Sequence, residues 1–513
     1  MITHHADTAI RSPAFWTASA DIPECAPLRD DLRVDVCIVG GGIVGLSIAY
    51  LLSRAGKSVA VIEDGPLGSG MSSMTTAHLT CVLDERYFDL ERMHGDEGAR
   101  LAAESHMTAI NRIETIVGTE HLDCDFERLN GYLFLSPGDD DDVLVRELAA
   151  AQRAGIDATL VNRAPHPSFE TGRCLLFPNQ AQFHPLRYIG GLARAIQRDG
   201  GKLFTMTHAE QVEGGHPARV SANGHQVTAD AVVVATHAPV NDTVAIHTKQ
   251  APYMTYVIGA RVPRGAVMRA LYWDTGFPYH YARLQSATTG ISDGNGELLI
   301  LGGEDHRTGQ ASDTTEHEAR LESWARQRFP FIEDIAYAWS GQVMQSVDGL
   351  AFIGRNPMDK DNVYVVTGDS GTGMTYATIS AILITDLIEG RQNPWESLYD
   401  PSRKSLRAAP TYAKEAVRMV AQYADWITPA DVKSPNDVKP DTGAVLNEGL
   451  AKVAVYREPD GTLHRMSAVC VHLGCIVRWN QVGRTWDCPC HGSRYDRFGT
   501  VVNGPANSNL PPR

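Results

Sequence analysis

No apolar run in this 513-residue chain approaches the roughly 20 residues that a bilayer-crossing helix needs, so no transmembrane segment is expected. The stretch Met1 to Trp16 lacks an apolar core and a twin arginine, so a secretory signal is not expected and the cytoplasm is the expected compartment. A basic excess is missing too: 46 Lys and Arg face 61 Asp and Glu, a formal net charge of −15. That acidic balance argues against a nucleic-acid partner, which would require a basic patch. No internal repeat is visible. Five of the nine cysteines, Cys25, Cys37, Cys81, Cys124 and Cys174, are scattered without a pairing pattern. Hydrophobic residues (43%) and aromatics (7%) are at ordinary levels for a globular enzyme, and the length suggests about three domains.

What is present is concentrated near the two ends. Toward the C-terminus stand Cys470-Val-His472-Leu-Gly-Cys475 and Cys488-Pro-Cys490-His491-Gly-Ser493. Each block offers one cysteine and one histidine at tight spacing. Two such loops facing each other hold a [2Fe–2S] cluster with two thiolates on one iron and two imidazoles on the other, a Rieske centre. A structural zinc site with Cys470, His472, Cys488 and His491 is the competing reading. Zinc accounts for four ligands but not for the extra pair Cys475 and Cys490 or for the Gly-Ser-x-Tyr tail. The last 73 residues carry eight Lys or Arg against six Asp or Glu, so the tail is near +2 and the rest near −17.

The segments Cys470 to Cys475 and Cys488 to Tyr495 resemble the cluster loops of Rieske proteins of the respiratory and photosynthetic type. The resemblance implies that Ser493 and Tyr495 hydrogen-bond the cluster sulfurs and raise the potential. It also implies a disulfide between Cys475 and Cys490 that ties the two loops if they pack together. In a reducing cytosol such a bond persists only if shielded and of low potential.

Nearer the N-terminus, Asp35-Val-Cys-Ile-Val39 predicts a buried strand, Gly40-Gly-Gly42-Ile-Val-Gly45 a tight turn, Leu46 to Ala55 a helix, and Ser58 to Ile62 a second strand ending at Glu63. This is the dinucleotide fingerprint in its full context. Gly40 turns the chain, Gly42 lets backbone approach a pyrophosphate at the helix N-terminus, Gly45 permits close helix–strand packing, and Glu63 is placed for a ribose hydroxyl.

Three further features favour FAD over NAD. The loop Gly68 to Thr76 is small and polar and offers Ser73, Thr75 and Thr76. Ala231 to Thr236 reads as a buried strand ending at a small-residue turn. Val363 to Met374 repeats the strand–glycine–helix pattern with Gly368, Gly371 and Gly373, able to aim amides at a flavin. Together, over roughly residues 34 to 395, these resemble the D-amino-acid oxidase and glycine oxidase superfamily of FAD-dependent amine oxidoreductases. Phe183-His-Pro185 and its following helix and strand match that family's middle region. The resemblance places Val212 near the adenine. Met74 stands where some relatives carry a flavin-linking histidine, with His78 and Cys81 nearby, so the flavin is expected to be non-covalent.

The expected fold class is α/β and α+β: a Rossmann-like FAD domain with a β-sheet substrate domain, plus a small all-β Rieske domain. Expected boundaries are a lead-in over 1–31, an oxidoreductase domain over 32–395, a helical linker over 396–440 and the Rieske domain over 441–513. The FAD parts are about 32–95, 175–250 and 345–395, and the substrate parts 96–174 and 251–344. In the linker, Tyr412, Ala416, Met419, Val420, Tyr423 and Trp426 fall at helical spacing as an apolar stripe for docking on the FAD body, and Pro429 to Pro440 is expected to act as a tether. The chain stops at Leu510-Pro-Pro-Arg513, which leaves closure of the last sheet open.

Three clusters are candidates for substrate contact: Tyr279-His280-Tyr281-Ala-Arg283, the turn Gly302 to Gly309, and Trp339-Ser-Gly341-Gln342. Strand alternation puts Tyr279, Tyr281 and Arg283 on one face. Arg283 is the candidate carboxylate anchor, with Tyr279 and His306 completing a polar wall. A hydrogen-bonded sheet rim is the structural alternative for each. The expected activity is dehydrogenation of an amine or amino acid, with electrons passing from flavin through the cluster to an external protein or quinone. The rival readings are an O2-using oxidase with a structural or regulatory cluster, and a redox sensor or carrier without enzymatic activity.

Overall fold

The structure, a computed structural model, describes residues 14–166, 168–241, 246–285, 296–311, 313–357, 359–404, 407 and 409–513. The first thirteen residues of the lead-in lie outside these.

Short runs of Val, Ile and Ala suit a sheet covered on both faces. They form an eight-stranded sheet whose order runs 352–355, 363–367, 225–234, 32–39, 59–62 and 202–204, with 209–213 and 218–222 attached. Its centre is parallel: Leu32–Val39 pairs with His225–Val234 on one side and Val59–Ile62 on the other. Helices Ile43–Arg54, Pro185–Arg198 and Gly373–Ile388 cross over and bury their faces on it. The lead-in is fastened to this layer, with Phe15 and Trp16 buried in the main core.

The nine-stranded second sheet runs 335–346, 250–263, 296–307, 280–285, 271–274, 127–134, 174–182 and 78–79, with 159–161 attached. It takes in Cys174–Gln182 and His78–Leu79, which lie within segments expected to bind nucleotide. The two lobes therefore interleave more than the sequence boundaries suggest. One face packs Tyr256, Leu299 and Leu301 against Leu321 and Ala325 of the helix Thr315–Arg328. The opposite face looks into the cavity described below.

The C-terminal domain is all β: three strands over 442–467 and four over 478–503. Trp486, Tyr495, Tyr456 and Met466 share its core with the four motif cysteines. The sheet region is closed by Met466 bridging Pro512 and by Ser467 donating to the Pro511 carbonyl at 2.8 Å. The tether expectation for Pro429 to Pro440 fails. Val438 is buried, Arg457 donates to the Pro435 and Val438 carbonyls, and Lys452 Nζ reaches the Thr428 carbonyl, so this segment is packed into the domain. The linker stripe also divides. Val420 is 69% exposed, while Tyr423 and Trp426 donate to the carbonyls of Leu473 and Gly474 on the cluster loop rather than to the FAD body. Among the described residues no helix is long and apolar enough to cross a membrane.

Candidate functional site

The two motif loops of the tail have the same local build. Gly474 N–H donates to the Cys470 carbonyl at 3.0 Å, and Gly492 N–H to the Cys488 carbonyl at 3.1 Å. Each turn so formed presents its cysteine and histidine to the other. The His472 and His491 rings lie 4.9 Å apart. A disulfide joins Cys475 to Cys490, whose Cα atoms are 6.4 Å apart; both residues are buried. The Tyr495 hydroxyl lies 3.3 Å from Cys470 Sγ, and Ser493 Oγ accepts from Ala506 N–H at 3.0 Å. The Cys470 thiol is drawn below its ordinary value, first by the Cys488 thiol beside it and then, against burial, by Tyr495. Two thiols, two imidazoles and an oxygen donor aimed at sulfur, with the spare cysteines consumed in a disulfide, fit a [2Fe–2S] cluster. They leave a zinc site with no use for the disulfide or for Tyr495.

At the other end, the tight turn is required by sterics. A Cβ on Gly40, at φ +110°, would sit 2.4 Å from the Ala235 carbonyl oxygen, and one on Gly45 would sit 1.9 Å from the Gly40 oxygen. At Gly42 a Cβ would meet only Ser72 Oγ, at 3.1 Å, so that glycine leaves room for a ligand rather than for the fold. Glu63 accepts from Gly41 N–H at 2.6 Å and Gly65 N–H at 3.0 Å. Burial still pushes its carboxyl up to about 7, against those two bonds. A buried acid at the end of the second strand, glycines at a helix N-terminus and one long cavity joining them to the Gly371–Met374 turn suit a dinucleotide with a flavin end.

The cavity is lined by Gly40, Gly42, Glu63, Thr75, Thr76, Gly371, Gly373 and Met374. Gly45 packs the helix on its strand, the role expected of it. Three expected FAD contacts fall elsewhere. Gly368, at φ +73°, forms a turn against Phe352, with its neighbours Thr367 and Asp369 reaching the cavity. Ser73 turns its hydroxyl to the Ser69 and Gly70 carbonyls, and Ser72 faces the cavity instead, accepting from Ile43 N–H at 3.0 Å. Val212 packs in the apolar layer behind the sheet, and the cavity is met there by Thr207, His208 and Ala209.

The substrate half has its own corrections. Tyr279 and Tyr281 line the cavity; Arg283 does not. Arg283 is fully buried behind the wall under the Trp16 ring, donating to the carbonyls of Ala77 and Phe183 at 3.1 and 3.2 Å and to Gln285. Alternation was right about the strand face, but that face runs from cavity into core along its length. His306 goes to the opposite face of its strand. There it accepts or donates with the Tyr256 hydroxyl at 2.9 Å and lies 4.2 Å from the His317 ring. Its neighbour Asp305 points the other way, to stand behind the cavity-lining Thr255. His78 lines the cavity and is pushed down to about 3 by burial and then by Arg283, so it stays neutral.

Sequence reasoning gave no sign that the two sites share a wall. Gln342 lines the cavity, and its Nε2 donates to the carbonyl of Gly492, next to His491, at 2.9 Å. Gly492, at φ +82°, fits because a Cβ there would sit 2.5 Å from Pro252 and 2.7 Å from Gln342 Nε2. From the FAD body the His247 ring lies 5.0 Å from His472 and 5.9 Å from His491. Asn503, Gly504 and Asn507 of the tail line the cavity itself, and Asn507 donates to the Ala209 carbonyl at 2.9 Å. Gln342 was a candidate substrate contact and Gly492 belongs to the cluster motif; His247, Asn503, Gly504 and Asn507 carry no motif, and only the docked arrangement identifies them.

Comparison with known proteins agrees with this geometry. Residues 35–387 match the family model described as FAD dependent oxidoreductase (DAO), and residues 428–512 match that of the Rieske [2Fe-2S] domain. The chain is 32% identical over 499 residues to the putative Rieske 2Fe-2S iron-sulfur protein YhfW of Bacillus subtilis, covering 96% of each. It is 27% identical over 397 residues to the gamma-glutamylputrescine oxidoreductase of Escherichia coli, covering 74% of this chain and 89% of that one. The glycine oxidase of Geobacillus kaustophilus shares the fold at a TM-score of 0.61 and 20% identity, covering 73% of this chain and 99% of the other. The chain belongs to the DAO family of FAD-dependent oxidoreductases and carries, fused to its C-terminal side, a Rieske domain for a [2Fe–2S] cluster.

Proposed function

We propose that the protein dehydrogenates an amine or amino acid at a C–N bond and passes the electrons, one at a time, from the flavin cavity to the Rieske centre and then to an external acceptor, a protein or a quinone. The observation that carries this reading is the shared wall: Gln342 touches both the cavity and the carbonyl beside the ligand His491. Bound flavin supplies two-electron oxidation of a C–H next to nitrogen and can release electrons singly, and a Rieske cluster takes one at a time.

The chain's own residues set the geometry. Gly42 and the N-terminus of Ile43–Arg54 hold the pyrophosphate, and Glu63 holds the ribose. The turn before Gly373–Ile388 directs amides at the flavin end. Tyr279, Tyr281 and Trp273 wall the space where substrate would sit and keep it dry. Cys470, Cys488, His472 and His491 hold the cluster, and His247 packs its imidazole edge against the body. The proposed compartment is the cytoplasm, where burial of Cys475 and Cys490 shields their disulfide.

The test is an anaerobic screen of amines and amino acids, followed by absorbance for the flavin and EPR for the cluster. A substrate that bleaches the flavin should also produce the reduced-cluster signal without any added mediator. Flavin bleaching that leaves the cluster oxidised until O2 is admitted would replace this reading with that of an oxidase.

A further inference from the structure

We infer that the substrate half of the cavity is an ammonium site, built on Asp84 and Asp305, and that its substrate is an alkylamine or diamine whose reacting carbon bears no carboxylate. This rests on the dehydrogenase reading and narrows it.

The first observation is the charge of the wall. Among the described residues, neither lysine nor arginine lines the cavity. Arg283, the side chain best suited to a carboxylate, spends its donors on two carbonyls and Gln285 behind the wall. An amino acid entering here would bring a carboxylate with no lysine or arginine to meet it, beside two acidic side chains.

The second is the acid pair. Asp84 lines the cavity, accepts from the Tyr279 hydroxyl at 3.0 Å, and lies against the flavin-end turn, where a Cβ on Gly371 would come 2.1 Å from its Oδ2. Asp305 joins the same wall through a hydrogen bond to Thr255, which lines the cavity and lies 3.0 Å from the Tyr281 hydroxyl. The Oδ1 atom of Asp305 is buried with no hydrogen-bond partner. Burial pushes both carboxyls up to about 7, and the charge of Asp305 adds to the rise at Asp84. Arg86 acts on Asp84 and His280 on Asp305 from outside the cavity; an entering ammonium supplies a counter-charge inside it, where the lining has no lysine or arginine. The Tyr279 and Tyr281 rings, 5.4 Å apart, offer faces that also attract a cation.

The chemistry balances. The ammonium R–CH2–NH3+ gives one N–H proton to a carboxylate of the pair, leaving the free amine. The adjacent C–H then departs as hydride to the two-electron acceptor, flavin, and the nitrogen lone pair closes the C=N bond of an iminium, R–CH=NH2+. Water adds to that carbon and splits it to an aldehyde and ammonium.

The test uses the holoprotein and two probes of equal shape that cannot be oxidised at a C–H next to the charged group, tert-butylamine and pivalate. Calorimetry should show the amine binding and the carboxylate failing to bind. Asp84→Asn and Asp305→Asn, checked for unchanged FAD and iron content, should each weaken the amine by roughly tenfold or more, as expected for removing a charge partner of a bound ammonium in a partly enclosed cavity. Should one variant lose FAD, the other decides. Pivalate binding as tightly as the amine, or amine affinity within threefold in the intact variants, overturns the inference. Amine binding that no alkylamine follows with flavin bleaching leaves the ammonium site standing and removes the dehydrogenase reading. Bleaching by amino acids together with pivalate binding does the reverse.

Discussion

The two redox sites of this protein are built in opposite ways. The cluster centre is local: the four proposed ligands, a disulfide and Tyr495 all fall between residues 470 and 495, inside one small core. The flavin cavity is dispersed, lined from Val39 to Asn507 by both large sheets and by the tail. A local site can be lost in one substitution without disturbing the rest. In a dispersed site, many positions serve both the fold and the ligand, and only a few can be changed to test the ligand alone.

The strongest test of that contrast is His472→Ala. Iron analysis should show the cluster gone while FAD content holds, because the FAD body has its own core. Stoichiometric zinc with no iron in protein made with ample iron would break the account of the tail. On the flavin side the clean substitution is Gly42→Val, since only Ser72 Oγ comes near a Cβ there. It should lose FAD on gel filtration and keep the cluster. Gly40→Val at φ +110° should instead damage the fold, through the Ala235 carbonyl.

A smaller effect separates wall from core. Arg283→Met leaves the Ala77 and Phe183 carbonyls and Gln285 without their donor. It should cost about 2–4 kcal/mol in stability, measured by denaturant melts, and change amine affinity far less than Asp84→Asn does. A variant of normal stability that loses substrate binding would return Arg283 to the site. The smallest effect belongs to Gln342→Leu, which removes the bond to Gly492 but keeps both cofactors. Stopped-flow, started from flavin already reduced by dithionite, should show slower flavin reoxidation by the cluster.

Legibility in the sequence followed the same division. Spacing in the tail is a matter of a few residues, so the Rieske domain could be read from it, and the structure brings the proposed ligands His472 and His491 together. The disulfide followed from likeness to known cluster loops. The Gly40–Glu63 unit was equally readable, because strand, turn, helix and acid are consecutive. What failed was anything that depends on where a strand's face leads. Tyr281 and Arg283 share a face, yet one meets the cavity and the other the core, because helix and loop cover begins between them. His306 turned away from the cavity, toward Tyr256 and His317, because its place in the strand's alternation puts it on the other face. Ser73 gave way to Ser72 for the same reason within a turn. Asp84 carried no signal, since an isolated acid before a helix resembles any surface residue. The contribution of Asn503 and Asn507 to a cavity nearly 300 residues away in sequence arises only from docking.

That docking is the central claim, and internal electron transfer tests it most directly. Holoprotein reduced anaerobically by substrate, with no acceptor present, should show cluster reduction by rapid-freeze EPR at a rate independent of protein concentration. A rate that rises in proportion to protein concentration, or a cluster that stays oxidised beside fully reduced flavin, would contradict it.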